Sequence, residues 1–410
     1  MVKIYLLDGT IIETEDLQLK FHEKLAHEII SNIGTIAVLE VEIEIPNLNG
    51  EWSLENVNSP YYGRIGTGCI IEVEGMEFII TEWDAPISSS NARIRGIDKA
   101  SMALEQKAPF IRLKRNIKGQ DAVKLFWEAL GFETVFYTVR NEKFPLFWIT
   151  SKADEAWDNI AKSLLIFAKY EGGNQIGIYD IGFGRNRENP LIIDTFENAP
   201  ELFPTQKITT EAGIKFVTDI RLGEQKELAK TTIELAPKTV QVVEVTFEPA
   251  LFLYANSTNA KCRVLDVSTS KVEIEVINET VDVITSEVKV FGKPVVMTFG
   301  TTKAGSNLLE MLYIFSRESA ELINNRIRSF SSVYNNVYEF SILTNQKPSV
   351  GDVVYLRSRY LDEIAIISSV DIEKAGNGFI ARGKAIKPVA IRSTAFILPF
   401  FSIEFETEVM

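Results

Sequence analysis

The sequence predicts an α+β protein that is mostly β, built on a duplicated β-unit with an α+β insert between its two copies. Three observations carry this. First, two stretches roughly three hundred residues apart share one plan: GTGCIIEVEGMEFIITEWDAPISSSNARIRGIDKA (66–100) and VGDVVYLRSRYLDEIAIISSVDIEKAGNGFIARGKAI (350–386). Each has a Gly, a short apolar strand, a second strand, a polar turn and a third strand ending on Arg-Gly, at Arg95-Gly96 and Arg382-Gly383. The spacing from first to last glycine is roughly thirty residues in both, a scale on which self-similarity marks a duplicated unit. Second, period-two alternation of apolar and polar residues recurs on both sides of the middle of the chain. Third, the helical signals gather between the two copies. A duplicated β-unit without a recognisable catalytic motif favours a structural or assembly role.

In chain order, VKIYLLDGTIIE reads as a hairpin turning on Asp8-Gly9, a strong short-range turn signal. VLEVEIEIPN alternates from Val38 to Ile45, with Glu40, Glu42 and Glu44 on one face and Val41, Ile43 and Ile45 on the other, and Pro46 ends it. After the first repeat, GIDKASMALEQKAP reads as a short helix stopped at Pro109. GQDAVKLFWEALGF puts Ala122, Val123, Phe126, Trp127 and Leu130 on one helical face, with Gly131 as the C-terminal cap. A third helix is expected from Ser151, with Asp154 completing a capping box, an apolar stripe of Ala153, Trp157, Ile160, Ala161, Leu164 and Ala168, and Gly172-Gly173 closing it. QIGIYDIG and PLIIDTF read as strands. From about 206 the chain returns to β, where KVEIEVINE sets Glu273 and Glu275 against Ile274 and Val276. One helix is expected from Ser306 to about Ser329, with Leu308, Leu312, Phe315, Leu322, Ile323, Ile327 and Phe330 on its apolar side. YEFSIL then leads into the second repeat. The tail AFILPFFSIEFETEV is expected to pair in a sheet or at a subunit contact.

Composition bounds the function. The chain has 410 residues, enough for two to four domains, and 46% apolar and 24% charged residues are ordinary for a globular protein. With 56 Asp and Glu against 43 Lys and Arg, its net charge of −13 argues against affinity for nucleic acid. Cys69 and Cys262 both lie in strand-like apolar runs and read as buried thiols; one disulfide is possible, but there is no disulfide framework. MVKIYLLDGT lacks a signal-peptide core, and no apolar stretch approaches membrane-spanning length, so a soluble, cytoplasmically made protein is expected.

The search for chemistry yields little. His22 and His27 are the two histidines, and in FHEKLAHEII they are one residue too far apart for the zinc-peptidase pattern. On a helix they would sit about 140° apart around the axis. Neither cysteine lies in a nucleophile context, and no Gly-x-Ser-x-Gly or Walker-type loop occurs. Gly182 and Gly184 follow a strand but precede a polar turn, so they fail as a dinucleotide fingerprint. Glu40, Glu42 and Glu44 are what an exposed strand face gives by default rather than a carboxylate pair for acid–base work. Arg112, Lys114 and Arg115 read as a solvated face, and the sequons at Asn256 and Asn278 carry nothing without a leader. No catalytic, cofactor-binding or metal-ligating residue is assigned, and no cofactor is expected.

The order of features nevertheless resembles a family. A β-unit ends in ARIRGIDKASMALEQKAP; then come GQDAVKLFWEALGF, a Trp-bearing helix in SKADEAWDNIAKSLLIFAKYEGG, QIGIYDIG, β-segments closing on VKVFGKPV, the helix SRESAELINNRIRSFSSVY and the SVGDVVYL turn. This succession, from about Val38 to about Ile386, is similar to the baseplate hub proteins of tailed bacteriophages and related contractile particles, and to the N-terminal structural part of tail-tip proteins.

The resemblance implies two related β-barrel modules, a lateral α/β domain inserted in the first, and a helix-bearing second. The corresponding division is 1–108 for the first module, completed by about 206–235, then 109–205 for the lateral insert and 236–410 for the second module, with its helix near 306–330. It implies a homotrimer that joins a sixfold tail tube to a threefold tip, because three chains with two similar units each present six. Partners would be distal tail or tail-tube proteins above and a spike, fibre or tip protein below, with DNA passing through without specific binding and no membrane insertion. Location would be the virion or particle tail, after assembly in the bacterial cytoplasm. Some relatives carry a lysozyme-like or peptidase domain beyond the hub; the chain has no room for one after the second repeat, so no enzyme is expected. The alternatives are a tail-associated peptidoglycan hydrolase and a host-surface carbohydrate-binding protein, for which Trp52 and Tyr61-Tyr62 are the candidate aromatics.

Overall fold

A computed structural model describes residues 2–14, 18–30, 33–137, 141–181, 185, 190–195, 201–205, 213–303, 308–330, 337–358, 361–375 and 377–387. The fold is α+β and mostly β. The first repeat and its lead-in form β1 (Val2–Tyr5), β2 (Ile11–Thr14), β3 (Gln18–Ile30), β4 (Ile33–Pro46), β5 (Ile70–Val73), β6 (Met76–Asp84) and β7 (Asn91–Asp98). α1 (Lys99–Leu104) follows, and then come β8 (Lys114–Lys118), α2 (Gly119–Ala129), β9 (Glu133–Tyr137), β10 (Lys143–Phe147), α3 (Ala153–Leu164), β11 (Ile166–Gly172) and β12 (Gln175–Asp180) in the region expected to be the insert. Two short strands follow, β13 (Leu191–Asp194) and β14 (Glu201–Thr205). Next come β15 (Gly213–Leu222), β16 (Lys226–Leu235), β17 (Val240–Thr246), β18 (Ala250–Ser257), β19 (Lys261–Val267), β20 (Lys271–Ile277), β21 (Ile284–Thr301), β22 (Leu308–Met311) and α4 (Arg317–Phe330). The second repeat forms β23 (Val337–Thr344), β24 (Val353–Ser358), β25 (Leu361–Ala375) and β26 (Gly378–Ile386).

The two repeats have one topology. The first orders its strands β4-β7-β6-β5 and the second β23-β26-β25-β24, all antiparallel. They belong to one sheet, joined where β3 pairs β25 antiparallel from Lys24↔Ser369 to Lys20↔Glu373. The glycine of each Arg-Gly pair is where a neighbour comes close. A Cβ on Gly383 would stand 2.3 Å from the Ser369 carbonyl oxygen, and one on Gly96 would stand 3.1 Å from Phe78 Cβ. One face of this sheet, from Val41 and Ile43 through Phe21 to Val370 and Ile372, shares a single hydrophobic core.

The insert has its own core, in which Trp127 and Trp157 meet edge to face at 5.1 Å and both are fully buried. Burial of each such side chain contributes about 1.5–3 kcal/mol. Trp157 also donates Nε1–H to the Thr35 carbonyl at 2.9 Å, which ties α3 to β4. Asp98, at the end of Arg-Ile-Arg-Gly-Ile-Asp, accepts from Leu39 N at 2.9 Å and caps α1 through Ser101 N at 2.8 Å. A small sandwich packs β16, β18 and β21 against β17, β19 and β20 around Ile274, Val288 and Val290. It docks on the insert through Thr269, whose hydroxyl bonds both the N–H and the carbonyl of Ile149 at 2.9 Å.

Several expectations meet the structure directly. Gly9 and Gly131 adopt positive φ at the hairpin turn and just past α2. The third helix ends sooner than expected, at Leu164, with Leu165 left-handed. Ala168 lies instead in β11, whose first five residues are all buried as pairing with β12 and β4 requires, and Gly172-Gly173 make the β11–β12 turn. The Ser151 capping box does not form; Asp154 accepts from the neighbouring Glu155 N–H. The later helix starts at Arg317, capped by Ser316 Oγ from Ser319 N at 3.1 Å, while Leu308–Met311 pair with β15. The tail from Ala395 onward, Gly182 and Gly184 lie outside the described residues.

The glycine contacts give a graded prediction. Gly383→Ala is expected to cost about 1–3 kcal/mol, as backbone overpacking does, and Gly96→Ala less, because its neighbours stand farther off. Urea unfolding of the two variants beside the parent tests the order; equal and negligible effects would contradict it.

Candidate functional site

Antiparallel register and period-two alternation place charge on the face of the β3–β25 seam opposite the core. Glu40, Glu42 and Glu44 are half-buried on this wet face, while Val41, Ile43 and Ile45 are buried, as the sequence predicts. The carboxylates are not alone there. One row across the strands reads Arg382, Asp371, His22, Glu40. The next reads Glu373, Lys20, Glu42, Arg95, Glu82, and a third Glu44, Arg93, Asp84. Opposite charges at directly opposed positions favour the pairing. The face is therefore a ladder of alternating sign, mildly acidic on balance, lining an open groove of about 540 Å³.

Glu42 is the best-held group in it. Arg93 Nη2 lies 2.6 Å and Arg95 Nε 2.8 Å from Glu42 Oε2, and Arg95 Nη1 reaches Glu82 at 2.9 Å. Partial burial alone would raise the Glu42 carboxyl; the two arginine hydrogen bonds outweigh it and hold the group below its ordinary value. His22 lies on a strand, not a helix, and its Nδ1 hydrogen-bonds Asp371 Oδ1 across the seam. That bond raises the imidazole above its ordinary value, against the opposing effect of burial. The side chain of His27 lies outside the described residues.

On the opposite face of β3 sits a buried polar node that sequence reasoning missed. Glu23, 2% exposed, pairs with Lys169 of β11. Glu23 Oε2 accepts from Ser349 Oγ at 2.8 Å and from the Val350 N–H at 3.1 Å, while Lys169 Nζ also donates to Ser349 Oγ at 2.5 Å. Burial pushes Glu23 up, but the Lys169 charge and these hydrogen bonds bring it below its ordinary value. Asp352 closes the turn by accepting from Ser349 N at 2.9 Å, and burial pushes it up to about 6, with Arg185 and Lys169 opposing and Glu23 adding. The second repeat's Ser-Val-Gly-Asp turn is thus plugged into the junction of the first repeat and the insert. Alternation marks Glu23 as lying on the apolar side of its strand, the one signal by which it was visible.

The remaining candidates have structural surroundings. Trp52 is 5% exposed and stacks on Tyr61 at 4.6 Å, and its carbonyl accepts from Trp83 Nε1 at 2.9 Å, so this cluster belongs to the core, with Tyr62 alone exposed. Asn278 is buried and donates to the Leu235, Ala236 and Asp282 carbonyls, which fixes a turn of the sandwich. Glu273 and Glu275 are half-buried opposite buried Ile274 and Val276. Arg112, Lys114 and Arg115 are exposed. Cys69 is buried, Cys262 is half-buried, and both are free thiols. Among the described residues no group of three or more His, Cys, Asp or Glu is placed to hold a metal, and no helix is long and apolar enough to cross a membrane.

No protein-family model matches the chain, and no curated protein sequence does. Solved structures do. The 43 kDa tail protein of prophage MuSo2 from Shewanella oneidensis superposes with a TM-score of 0.52 at 12% identity, over 94% of this chain and 98% of its own. The chain has a phage tail-protein fold. A tail protein from Neisseria meningitidis MC58 gives a TM-score of 0.51 at 10% identity, over 94% of this chain and 96% of that one. In both cases the likeness extends over 94% of the chain and is not confined to one repeat.

Two outcomes test the node. Lys169→Met leaves a buried carboxylate unpaired and is expected to cost roughly 3–5 kcal/mol, part of which the added Glu23→Gln change restores. For Asp352, a carboxyl raised on folding is protonated in the folded chain while ionised in the unfolded one, so stability falls as pH rises from about 4 to about 6. Asp352→Asn removes that fall. Across this window the parent should lose up to about 3 kcal/mol relative to the variant, measured by urea unfolding at each pH; parallel profiles would refute the assignment.

Proposed function

We propose that this chain is a structural hub of a phage tail or phage-like particle, assembling as a homotrimer between a sixfold tail tube and a threefold tip. The observation that carries the reading is a single sheet built from two units of one topology, in a chain of which 94% follows a tail-protein fold. Three copies would present six such units to a tube and three copies of everything else to a tip. The tube protein above and a spike, fibre or tip protein below are the partners this geometry suits. The chain division given by the sequence, with boundaries near 108 and 205 and the segment 206–235 completing the first module, is part of the same proposal.

The charge ladder supports passage of DNA without retention. Retention needs a run of cations that neutralise successive phosphates. Here each of Lys20, Arg93, Arg95 and Arg382 stands directly opposite at least one carboxylate on a neighbouring strand. A lumen lined by this face would be weakly repulsive rather than strongly acidic.

We read the chain as non-enzymatic. The carbohydrate-binding alternative loses its main support, since Trp52 and Tyr61 stack on each other inside the first repeat.

Native mass spectrometry of the purified protein, or imaging of the particle that contains it, is expected to give three copies; a sixfold ring or a monomer within the assembled tail would overturn the hub reading. A cell-wall zymogram with the pure chain is expected to show no clearing, and a cleared zone would return the hydrolase alternative.

A further inference from the structure

The seam between the repeats is short, five residue pairs from Lys24↔Ser369 to Lys20↔Glu373. His22 stands at its centre, directly opposite Asp371 on β25 and directly opposite Glu40 on β4. Cβ atoms at such positions lie about 4.5–5.5 Å apart, so one imidazole stands between two carboxylate-bearing positions, hydrogen-bonded to Asp371 and feeling the charge of Glu40. Lys20 and Lys24 flank it on its own strand. Glu373 on β25, Glu42 on β4, Arg382 on β26 and Arg95 on β7 complete the charged groups that line the groove around it. A neutral imidazole has one N–H and one acceptor nitrogen, whereas the imidazolium donates from both. With Nδ1 engaged by Asp371, a neutral ring that donates there keeps Nε2 without a proton, so it has nothing to donate to the Glu40 carboxylate opposite it on β4.

We propose that protonation of His22 clamps the seam: the imidazolium bridges Asp371 and Glu40, joins three strands from both repeats, and loosens its hold when it loses the proton. The clamp is a property of the single chain and stands apart from the hub reading. Its direction follows from linkage. Asp371 raises the imidazole above its ordinary value, Glu40 adds to this, and burial and Lys24 oppose it. A base raised on folding stabilises the fold fully below its unfolded value, and that contribution is lost as pH rises through the folded value. The seam is therefore tight in mild acid and looser in mild alkali.

Hydrogen exchange of the full chain, corrected for intrinsic rates, reads this on the peptides that carry β3 and β25. Protection there is expected to be at least about threefold higher at pH 5.5 than at pH 8.5. His22→Gln and Asp371→Asn should each flatten the pH response. In the parent, the His22 ring should titrate by NMR above free histidine, and Asp371→Asn should bring it down. A flat parent profile, or a pH response that survives in both variants, would overturn the clamp. Should His22→Gln fail to fold, the parent titration and Asp371→Asn decide the question.

Discussion

The buried pair of Glu23 and Lys169 is the contact on which the arrangement of the chain depends. It draws together β3 of the first repeat, β11 of the insert and, through Ser349 and Val350, the turn that opens the second repeat. Taking two charges out of water is expensive, and the cost is offset only when the remaining lone pairs and protons find partners. Here a serine hydroxyl and a backbone N–H supply them. Such a node is poor glue compared with well-packed hydrocarbon, but it is selective. Sliding β25 by one residue along β3 would separate the carboxylate from the turn that satisfies it, and it would also turn every side chain of the slipped strand to the wrong face. The node thereby fixes the seam register.

That register creates the ladder on the other face. Once Ile372 is set opposite Phe21 on the core side, Asp371 must fall opposite His22, and Glu373 opposite Lys20. The opposed charges are thus a consequence of where the apolar residues sit. Glu42 shows that they also act: two arginines from β7 converge on it, and it lies below its ordinary value although it is partly buried. A face of this kind favours one pairing register without presenting a block of like charge.

Much of the fold was legible because local rules and tertiary pairing agreed. Asp8-Gly9, the Gly131 cap, the alternation of Val38–Ile45 and the two Arg-Gly strands each state their structure within a few residues. The failures share a cause. Ala168 continues the apolar stripe of α3, so periodicity extends the helix, but a left-handed Leu165 and the free edge of β4 take that segment into the sheet. Leu308 and Leu312 are four apart and read as helix, yet β15 offers a parallel partner. Alternation in QLKFHEKL stops at Leu25, and although it puts Glu23 on the apolar side, the segment's place in the sheet shows only through partners such as Leu39 and Val370 opposite Glu23. The node itself joins residues 23, 169 and 349, a separation that no window-based rule spans.

The two repeats share a topology but not their surroundings, and the difference bears on how such a chain meets its neighbours. By strand order, Arg382 stands where Arg95 does, Asp371 where Glu82 does, and Ser341 where Glu42 does. The first arginine is saturated by two carboxylates. The second stands opposite Ser341 and Asp371, and Asp371 is hydrogen-bonded to His22. The connections diverge as well: residues 47–69 between β4 and β5 build the Trp52–Tyr61 stack, whereas residues 345–352 between β23 and β24 build the turn that enters the node. The two units therefore keep one backbone topology while their loops and charges differ. On the hub reading, three chains would present six walls of one shape and two kinds, so a sixfold partner meets what the repeats share and a threefold partner meets what they do not.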